Sequence, residues 1–372
     1  MGRPIEWISL RGYKSIKALD DFKLKSINVL IGANGSGKSN FVSFFSMLRE
    51  LSEGRLELLV NKAGGADTHL FNGPQETQEI HAKMQFGSNA YSIKLEPTAD
   101  DRLIFKDERI EFHPDPQSKF SDVDRSIGVG HGESKLKEHA KDGFNNQIAK
   151  HIHDAVSGWT VYHFHDTSET AAMRRTCSVR DSERLRHDGA NLASFLYRLQ
   201  KEEGDTYRLI VETIKLIAPF FDDFKLRPKK KKKDDKHIQL EWKQVGSDYP
   251  FHPSQLSDGT LRFIAIATCL LQPQPPATVL IDEPELGLHP YALQILASLI
   301  LQAKERTQVI VSTQSASLLS SFEPEQIIVV ERLDGASEFK RLNDGDLENW
   351  LDDYTLGEVW QKNVFGGGPT NE

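Results

Sequence analysis

Eight consecutive residues carry the first chemistry legible in the chain: Gly32-Ala33-Asn34-Gly35-Ser36-Gly37-Lys38-Ser39, followed by Asn40. The pattern Gly-x-x-x-x-Gly-Lys-Ser lets a backbone curl around a phosphate chain with its amide hydrogens inward. A helix opening at the end of the loop adds free N–H groups and the positive end of its dipole. Lys38 is then placed to reach the β- and γ-phosphates, and the Ser39 hydroxyl to bind Mg²⁺. Alone, the loop says only "phosphate", and a kinase or a GTPase fits it equally. Two further stretches narrow the choice. Val279-Leu280-Ile281 is an apolar strand that ends in Asp282-Glu283, at the carboxyl edge where ligands bind in open α/β sheets. Asp282 suits the water shell of a metal opposite Ser39, and Glu283 suits a general base acting on an attacking water. Ser257, Asp258 and Gly259 open an apolar helix and make a second anion site. One nucleotide does not need two phosphate cradles in one subunit. The Ser257 loop is therefore expected to cap a γ-phosphate held by a second copy of the chain.

The elements that must position these residues can be read from periodicity. Residues 4–19 read as a strand with a loop around 11–15, and a second strand follows near 22–31. Phe41, Phe44, Phe45, Leu48 and Leu51 recur at helical spacing, which predicts a helix over 40–53 with one buried face. From about 60 to 130, short alternating runs between Gly and Pro clusters predict an antiparallel β-meander, with 121–134 as a loop. Residues 134–157 have helical character, 159–165 reads as a strand, and helices are expected at 190–202 and 205–218. A β-hairpin over 220–245 carries the lysine run Lys229–Lys233 at its tip. After 257 the chain alternates strands and helices, which implies a parallel sheet covered on both faces.

Leu256-Ser257-Asp258-Gly259 resembles the signature loop of ABC-type ATPases, usually Leu-Ser-Gly-Gly. Asp282-Glu283-Pro284-Glu285-Leu286-Gly287-Leu288-His289-Pro290 resembles the Walker B and D-loop of the RecF- and OLD-like branch of these ATPases. More narrowly, the chain resembles the stand-alone AAA_21-type predicted ATPases. Tyr162-His-Phe-His-Asp166, Asp188-Gly-Ala-Asn191-Leu192, Tyr249-Pro-Phe-His252 and Gly357-Glu-Val-Trp360 extend the resemblance over nearly the whole length. It implies an α/β fold: an ABC-type P-loop NTPase head with a mixed or parallel core sheet, an antiparallel β-lobe and a helical insertion. On this reading residues 1–60 and 246–372 form the split ATPase core, 61–133 the β-lobe, and 134–245 the insertion. It also implies ATP and Mg²⁺ as ligands, and a Ser-Thr-His or Ser-Thr-Gln switch after Walker B. This chain has Ser312-Thr313-Gln314. Gln314 can hydrogen-bond a γ-phosphate or a water but cannot carry a proton charge, so slow turnover is expected. Arg11-Gly12-Tyr13-Lys14-Ser15 resembles the basic loop that touches nucleotide in SMC-like relatives, which makes Lys14 a further candidate. The Q-loop is expected just after Phe164.

Composition limits the partners. The 372 residues carry a formal net charge of −8, with 38% hydrophobic and 27% charged residues. DNA is possible as a partner, but the net charge does not point to it. The lysine run reads as a solvated hairpin tip, with a phosphate backbone as the alternative. Cys177 and Cys269 form no CxxC pair, and the longest apolar run is too short for a bilayer. A cytoplasmic protein with no membrane association is expected. His163, His165 and Asp166 lack the further ligands of a zinc site. Val329-Val330-Glu331 with Asp344-Gly345-Asp346 superficially resembles the acidic set of a TOPRIM nuclease, but the residues after Glu331 are too few for that domain. Asp344 is more simply a helix cap before Leu347.

These readings converge on an ATP-hydrolysing switch. It would dimerise head-to-tail around Mg-ATP and control a separately encoded effector, by family analogy a nuclease in anti-phage defence. A RecF-like ATPase that clamps DNA, or a slow nucleotide-gated scaffold, are the alternatives. No heptads lie between Ser39 and Ser257, which argues against a long coiled-coil tether.

Overall fold

The order of apolar residues explains why two sheets form rather than one. Ile27–Ile31 and Gln308–Thr313 are buried along their whole length, as central strands of a parallel sheet covered on both faces must be. Ile80–Phe86, by contrast, alternates buried and half-buried residues, the pattern of a sheet with one face in a core. The computed structural model describes residues 3–114, 117, 120–141, 146–232, 235–343, 345 and 347–368.

The core sheet runs in the order Ala336–Arg341, Ile327–Leu333, Ile27–Ile31, Gln308–Thr313, Thr278–Asp282, Trp159–Tyr162. Its neighbours are parallel except Ala336–Arg341, which returns antiparallel on Ile327–Leu333. A second six-stranded sheet is antiparallel: Ile16–Lys23, Trp7–Tyr13, Ile80–Phe86, Asn89–Pro97, Leu103–Phe112, Val123–Gly128. This is the α/β head with a mixed parallel sheet, an antiparallel sheet and helices. Among the described residues, no helix is long and apolar enough to cross a membrane.

The helix Lys38–Ser52 lies between the two sheets. Phe41, Phe44, Phe45 and Leu48 share one hydrophobic cluster with Leu30, Leu280 and Ile310 of the core sheet and with Ile8, Met84 and Ile93 of the lobe. Phe45 meets Trp159 edge-on with ring centres 5.8 Å apart, and Trp159 meets Phe86 at 6.0 Å. On the other face of the core sheet, Val29, Ile31, Val279, Ile281 and Val311 pack with Phe263, Ile266 and Leu270 of the helix Asp258–Leu271. The two helices that begin after Gly37 and Ser257 are thus held against opposite faces of one sheet.

Several boundaries differ from expectation. Trp7–Tyr13 and Ile16–Lys23 form a hairpin turning at Lys14, whose φ is 49°. Trp7 to Arg11 pair with Gln85 to His81, so this hairpin belongs to the antiparallel lobe although it precedes the phosphate loop. Leu56–Ala63 is a helix that runs from the expected core into the first residues of the stretch read as the meander, and Val123–Gly128 is a strand where a loop was expected. Trp159–Tyr162 falls within the expected insertion, yet it pairs parallel with Thr278–Asp282 in the core sheet. Sequence distance hides both reassignments, because long-range pairing decides them. The hairpin over 220–245 forms in two parts, with Phe221–Phe224 on Trp242–Gln244 and Lys229–Lys232 on Asp235–Ile238.

Phe45→Ala should test how firmly the Lys38–Ser52 helix is held. Removing a fully buried ring costs about 3–5 kcal/mol, so urea unfolding of the nucleotide-free protein should shift to a markedly lower midpoint with an unchanged slope.

Candidate functional site

The phosphate loop is shaped by contact from behind. A Cβ on Gly32 would stand 2.2 Å from the Val330 carbonyl oxygen, so only glycine lets the loop lie against the strand Ile327–Leu333. Gly37 caps the following helix with φ 109°, and a side chain there would strike Ser337. Ser337 Oγ donates to the Ser36 carbonyl at 2.6 Å and lies 2.7 Å from Ser15 Oγ. Asn40 Nδ2 in turn donates to Ser15 Oγ at 2.7 Å. The N-terminal hairpin and the last strand of the core sheet therefore fasten one loop together. Asn34, Gly35 and Ser39 are exposed, whereas Lys38 is buried.

Lys38 Nζ folds back onto its own loop, donating to the carbonyls of Gly32 at 2.6 Å and Ala33 at 3.0 Å. Burial lowers its ammonium pKa, and the nearby charges of Glu283, Asp282 and Glu285 oppose that shift. These acids arrive on the neighbouring strands. Asp282 stands beside Ser312, and Thr313 beside Ile31, so three strand ends meet next to the loop. Glu283 has φ 42°, unusual for a residue with a long side chain, and its N–H donates to the Ser312 carbonyl at 2.8 Å. That turn ends the strand abruptly. Gln314 Nε2 donates to Glu283 Oε1 at 2.5 Å, and the Gln314 amide donates to Glu285 Oε1 at 2.7 Å. Burial raises the Glu285 carboxyl above its ordinary pKa.

Polar atoms at this edge lack partners. Among the described residues, Ser36 Oγ, Asp282 Oδ1, Glu285 Oε2 and Ser312 Oγ are buried and accept or donate no hydrogen bond. Buried polar groups are nearly always paired, so a set of orphans around a glycine cradle and a lysine fits an oxygen-rich, phosphate-bearing ligand. The chemistry of the donor set, a hydroxyl and a carboxylate, also suits a hard cation.

The chain belongs to the AAA_21 family. Its model, described as an AAA domain and putative AbiEii toxin of a type IV toxin–antitoxin system, matches residues 27–320. Membership makes this a P-loop AAA domain. The fold agrees. The chain is similar to an SMC head solved with the C-winged helix domain of ScpA, with TM-score 0.60 and 18% identity over 94% of this chain and 99% of that one. An SMC head with an extended coiled coil, bound to the C-terminal domain of ScpA from Pyrococcus furiosus, gives 0.57 and 16% over 94% and 99%. One with a coiled coil and joint from Pyrococcus yayanosii gives 0.53 and 13% over 94% and 99%. No curated protein sequence matches significantly.

The Ser257 loop of this AAA_21 head is built separately. Ser257 caps its helix by accepting from the Thr260 amide at 3.1 Å. Arg174, buried, donates to the Leu256 carbonyl at 3.2 Å and to Asp258 Oδ1 at 2.8 Å. Gly259 packs directly on the Gly287 carbonyl. Arg262 fastens the helix to the carbonyls of Phe164 and His165, each at 3.0 Å, and to that of Leu286. Among the described residues, no hydrogen bond joins Ser257, Asp258 or Gly259 to the phosphate loop. The structure thus gathers Lys38, Asp282, Glu283 and Gln314, and leaves the Ser257 loop outside that group.

Lys14 reaches the flank of the phosphate-loop helix, donating to Ser43 Oγ at 3.0 Å. Burial and the Lys14 charge lower the neighbouring His69 pKa to about 4. Glu331 is engaged within the chain by the Gly367 amide at 2.9 Å. Asp344 and Asp346 lie outside the described residues. The sequence does not single out Arg174, Arg262 or Ser337, and gives Ser15 only as the end of the Arg11–Ser15 loop. Arg262 has a local signal, a cation inside an apolar helix; Arg174 and Ser337 have none.

Glu285→Gln should separate the electrostatics from the fold. Because burial raises the folded carboxyl pKa, its ionised form destabilises the nucleotide-free protein above that pKa, and the cost vanishes as the group protonates. The variant should melt higher than the parent at pH 8, with the gain shrinking as pH falls towards 5. A gain independent of pH would contradict the assignment.

Proposed function

We propose that this head is an ATP-hydrolysing switch that closes head-to-tail as a dimer and controls a separately encoded effector. The observation that carries the reading is the division of the site. Lys38, Asp282, Glu283 and Gln314 converge on the phosphate loop, while the Ser257 loop is locked by Arg174 and Arg262 onto its own subunit without touching that loop. A second copy supplies the missing cap most economically, through a two-fold interface in which each loop faces the other's partner motif.

In this mechanism the amides of 32–39 and the Lys38 ammonium bind the β- and γ-phosphates. Binding draws Lys38 away from the carbonyls of Gly32 and Ala33. Ser39 and Asp282 would hold Mg²⁺, which supplies charge neutralisation across the phosphates. Glu283 takes a proton from the attacking water, and Gln314 orients the Glu283 carboxylate through its amide. Ser257 and the helix N-terminus behind it complete the γ-phosphate site from the partner. The γ-phosphate binds only the closed state in full, so hydrolysis biases reopening. The effector would read that change of state.

Three measurements test this. Glu283→Gln should lower kcat by about 10²–10⁴ and retain ATP, giving a dimer by light scattering that persists with ATP and dissociates on its removal. Lys38→Ala and Ser257→Arg should each be inactive, yet an equal mixture should recover roughly one quarter of parental turnover. Half the dimers are then mixed, and each holds one complete site; no recovery would mean that the Ser257 loop does not act in trans. Gln314→His should raise turnover by several fold if the neutral amide limits the rate, whereas an unchanged rate would remove that role. Stimulation of turnover by DNA would favour the DNA-clamping alternative.

A further inference from the structure

The acid that meets the backbone of Gln314 is not the acid that its side chain holds. The side-chain amide donates to Glu283 Oε1 at 2.5 Å, while the backbone N–H donates to Glu285 Oε1 at 2.7 Å. One residue thus reaches two carboxyls that lie two positions apart in the chain. Pro284 stands between them, buried. Its ring fixes φ and leaves no N–H of its own to compete for either carboxyl. Glu283, Pro284, Glu285 and Gln314 close into a ring through these two hydrogen bonds.

The ring has one firm side. Leu286 N–H donates to the Glu283 carbonyl at 3.3 Å and Leu288 N–H to the Glu285 carbonyl at 3.0 Å, which closes the turn that carries both acids. Arg262 grips the Leu286 carbonyl, and Gly259 lies against that of Gly287. Gln314 is held less. It is exposed, and it lies between the buried strand Gln308–Thr313 and Ser315, whose hydroxyl caps the next helix by accepting the Leu318 amide at 3.1 Å. Between strand and cap, the Glu285 carboxyl is the group that meets the Gln314 amide. The Glu283 carboxylate ends a long side chain with several rotatable bonds, so its position depends on Gln314, and that of Gln314 on Glu285.

We propose that Glu285 is a positioning residue for ATP hydrolysis: it fixes the backbone of Gln314, and Gln314 then aims the Glu283 carboxylate at the attacking water. Glu285 itself touches neither water nor phosphate in this arrangement. A general base misplaced by about 1 Å loses on the order of a hundredfold in rate, so one hydrogen bond two steps from the reacting atoms has a measurable effect on turnover. The role rests on the hydrolytic reading above.

The test combines ATP turnover, ATP binding and amide hydrogen exchange in Glu285→Ala, Glu285→Gln and Gln314→Ala. Glu285→Ala should lower kcat about ten- to a hundredfold and leave the Kd for ATP within about twofold of the parent. Glu285→Gln keeps an oxygen that can accept the Gln314 N–H, and should restore kcat to within about threefold. Glu285→Ala combined with Gln314→Ala should be no slower than Gln314→Ala alone, because both changes break the same link. The Gln314 amide should be protected from exchange in the parent and in Glu285→Gln, and exchange faster in Glu285→Ala. Parental kcat in Glu285→Ala overturns the proposal. So do multiplicative losses in the double variant, or a Glu285→Gln variant as slow as Glu285→Ala, which would assign the effect to charge. A parent that binds ATP without turning it over ends the hydrolytic reading and this role together, whereas parental kcat in Glu285→Ala beside an active parent ends the Glu285 role alone.

Discussion

The contact on which the structure depends is the approach of the phosphate loop to the strand Ile327–Leu333, with Gly32 against the Val330 carbonyl and Ser337 bonded to Ser36. A loop that must present its amides inward cannot also pack its own side chains. Its shape is imposed by neighbours on the other side. The hydroxyls of Ser15 and Ser337 serve this purpose, because they satisfy the outward carbonyl of Ser36 and the side chain of Asn40 in a buried place. The antiparallel lobe and the last strand of the core sheet thus have a direct role in the chemistry of a loop to which neither is adjacent in sequence.

The same logic of fixed positions and unsatisfied atoms runs through the carboxyl edge. Asp282 and Ser312 are paired on adjacent strands, and Glu283 and Gln314 directly follow those strands, so their spacing follows from parallel register rather than from flexible side chains. Lys38 is held by carbonyls, and Glu283 by Gln314. Both contacts are of the kind a charged ligand can exchange for stronger ones, whereas Ser36, Asp282 and Ser312 keep buried polar atoms with nothing to bond. Order in this site is therefore incomplete in a way that favours occupancy by a phosphate chain.

The Ser257 loop follows a different rule. Its arginines bind backbone carbonyls in several elements, tying the helix Asp258–Leu271 to the segment after Asp282 and to the residues after Tyr162. Movement of the loop would carry those elements with it.

The motifs were legible in the sequence because each depends on local spacing. Gly32 to Ser39, Asp282-Glu283 and Ser257-Asp258-Gly259 are short runs whose chemistry follows from residue type and from the turn or helix end they occupy. The helices Lys38–Ser52 and Asp258–Leu271 and the strand Thr278–Asp282 were likewise visible, since periodicity reports which face is buried. Tertiary structure alone decided that the N-terminal hairpin joins the antiparallel lobe, that Trp159–Tyr162 is an edge strand of the core, and that Ser15 and Ser337 brace the phosphate loop. The physical reason is the same in each case. Pairing between strands and hydroxyl bonds across hundreds of residues leave no periodic trace in the chain, because either partner taken alone is an ordinary polar or apolar residue.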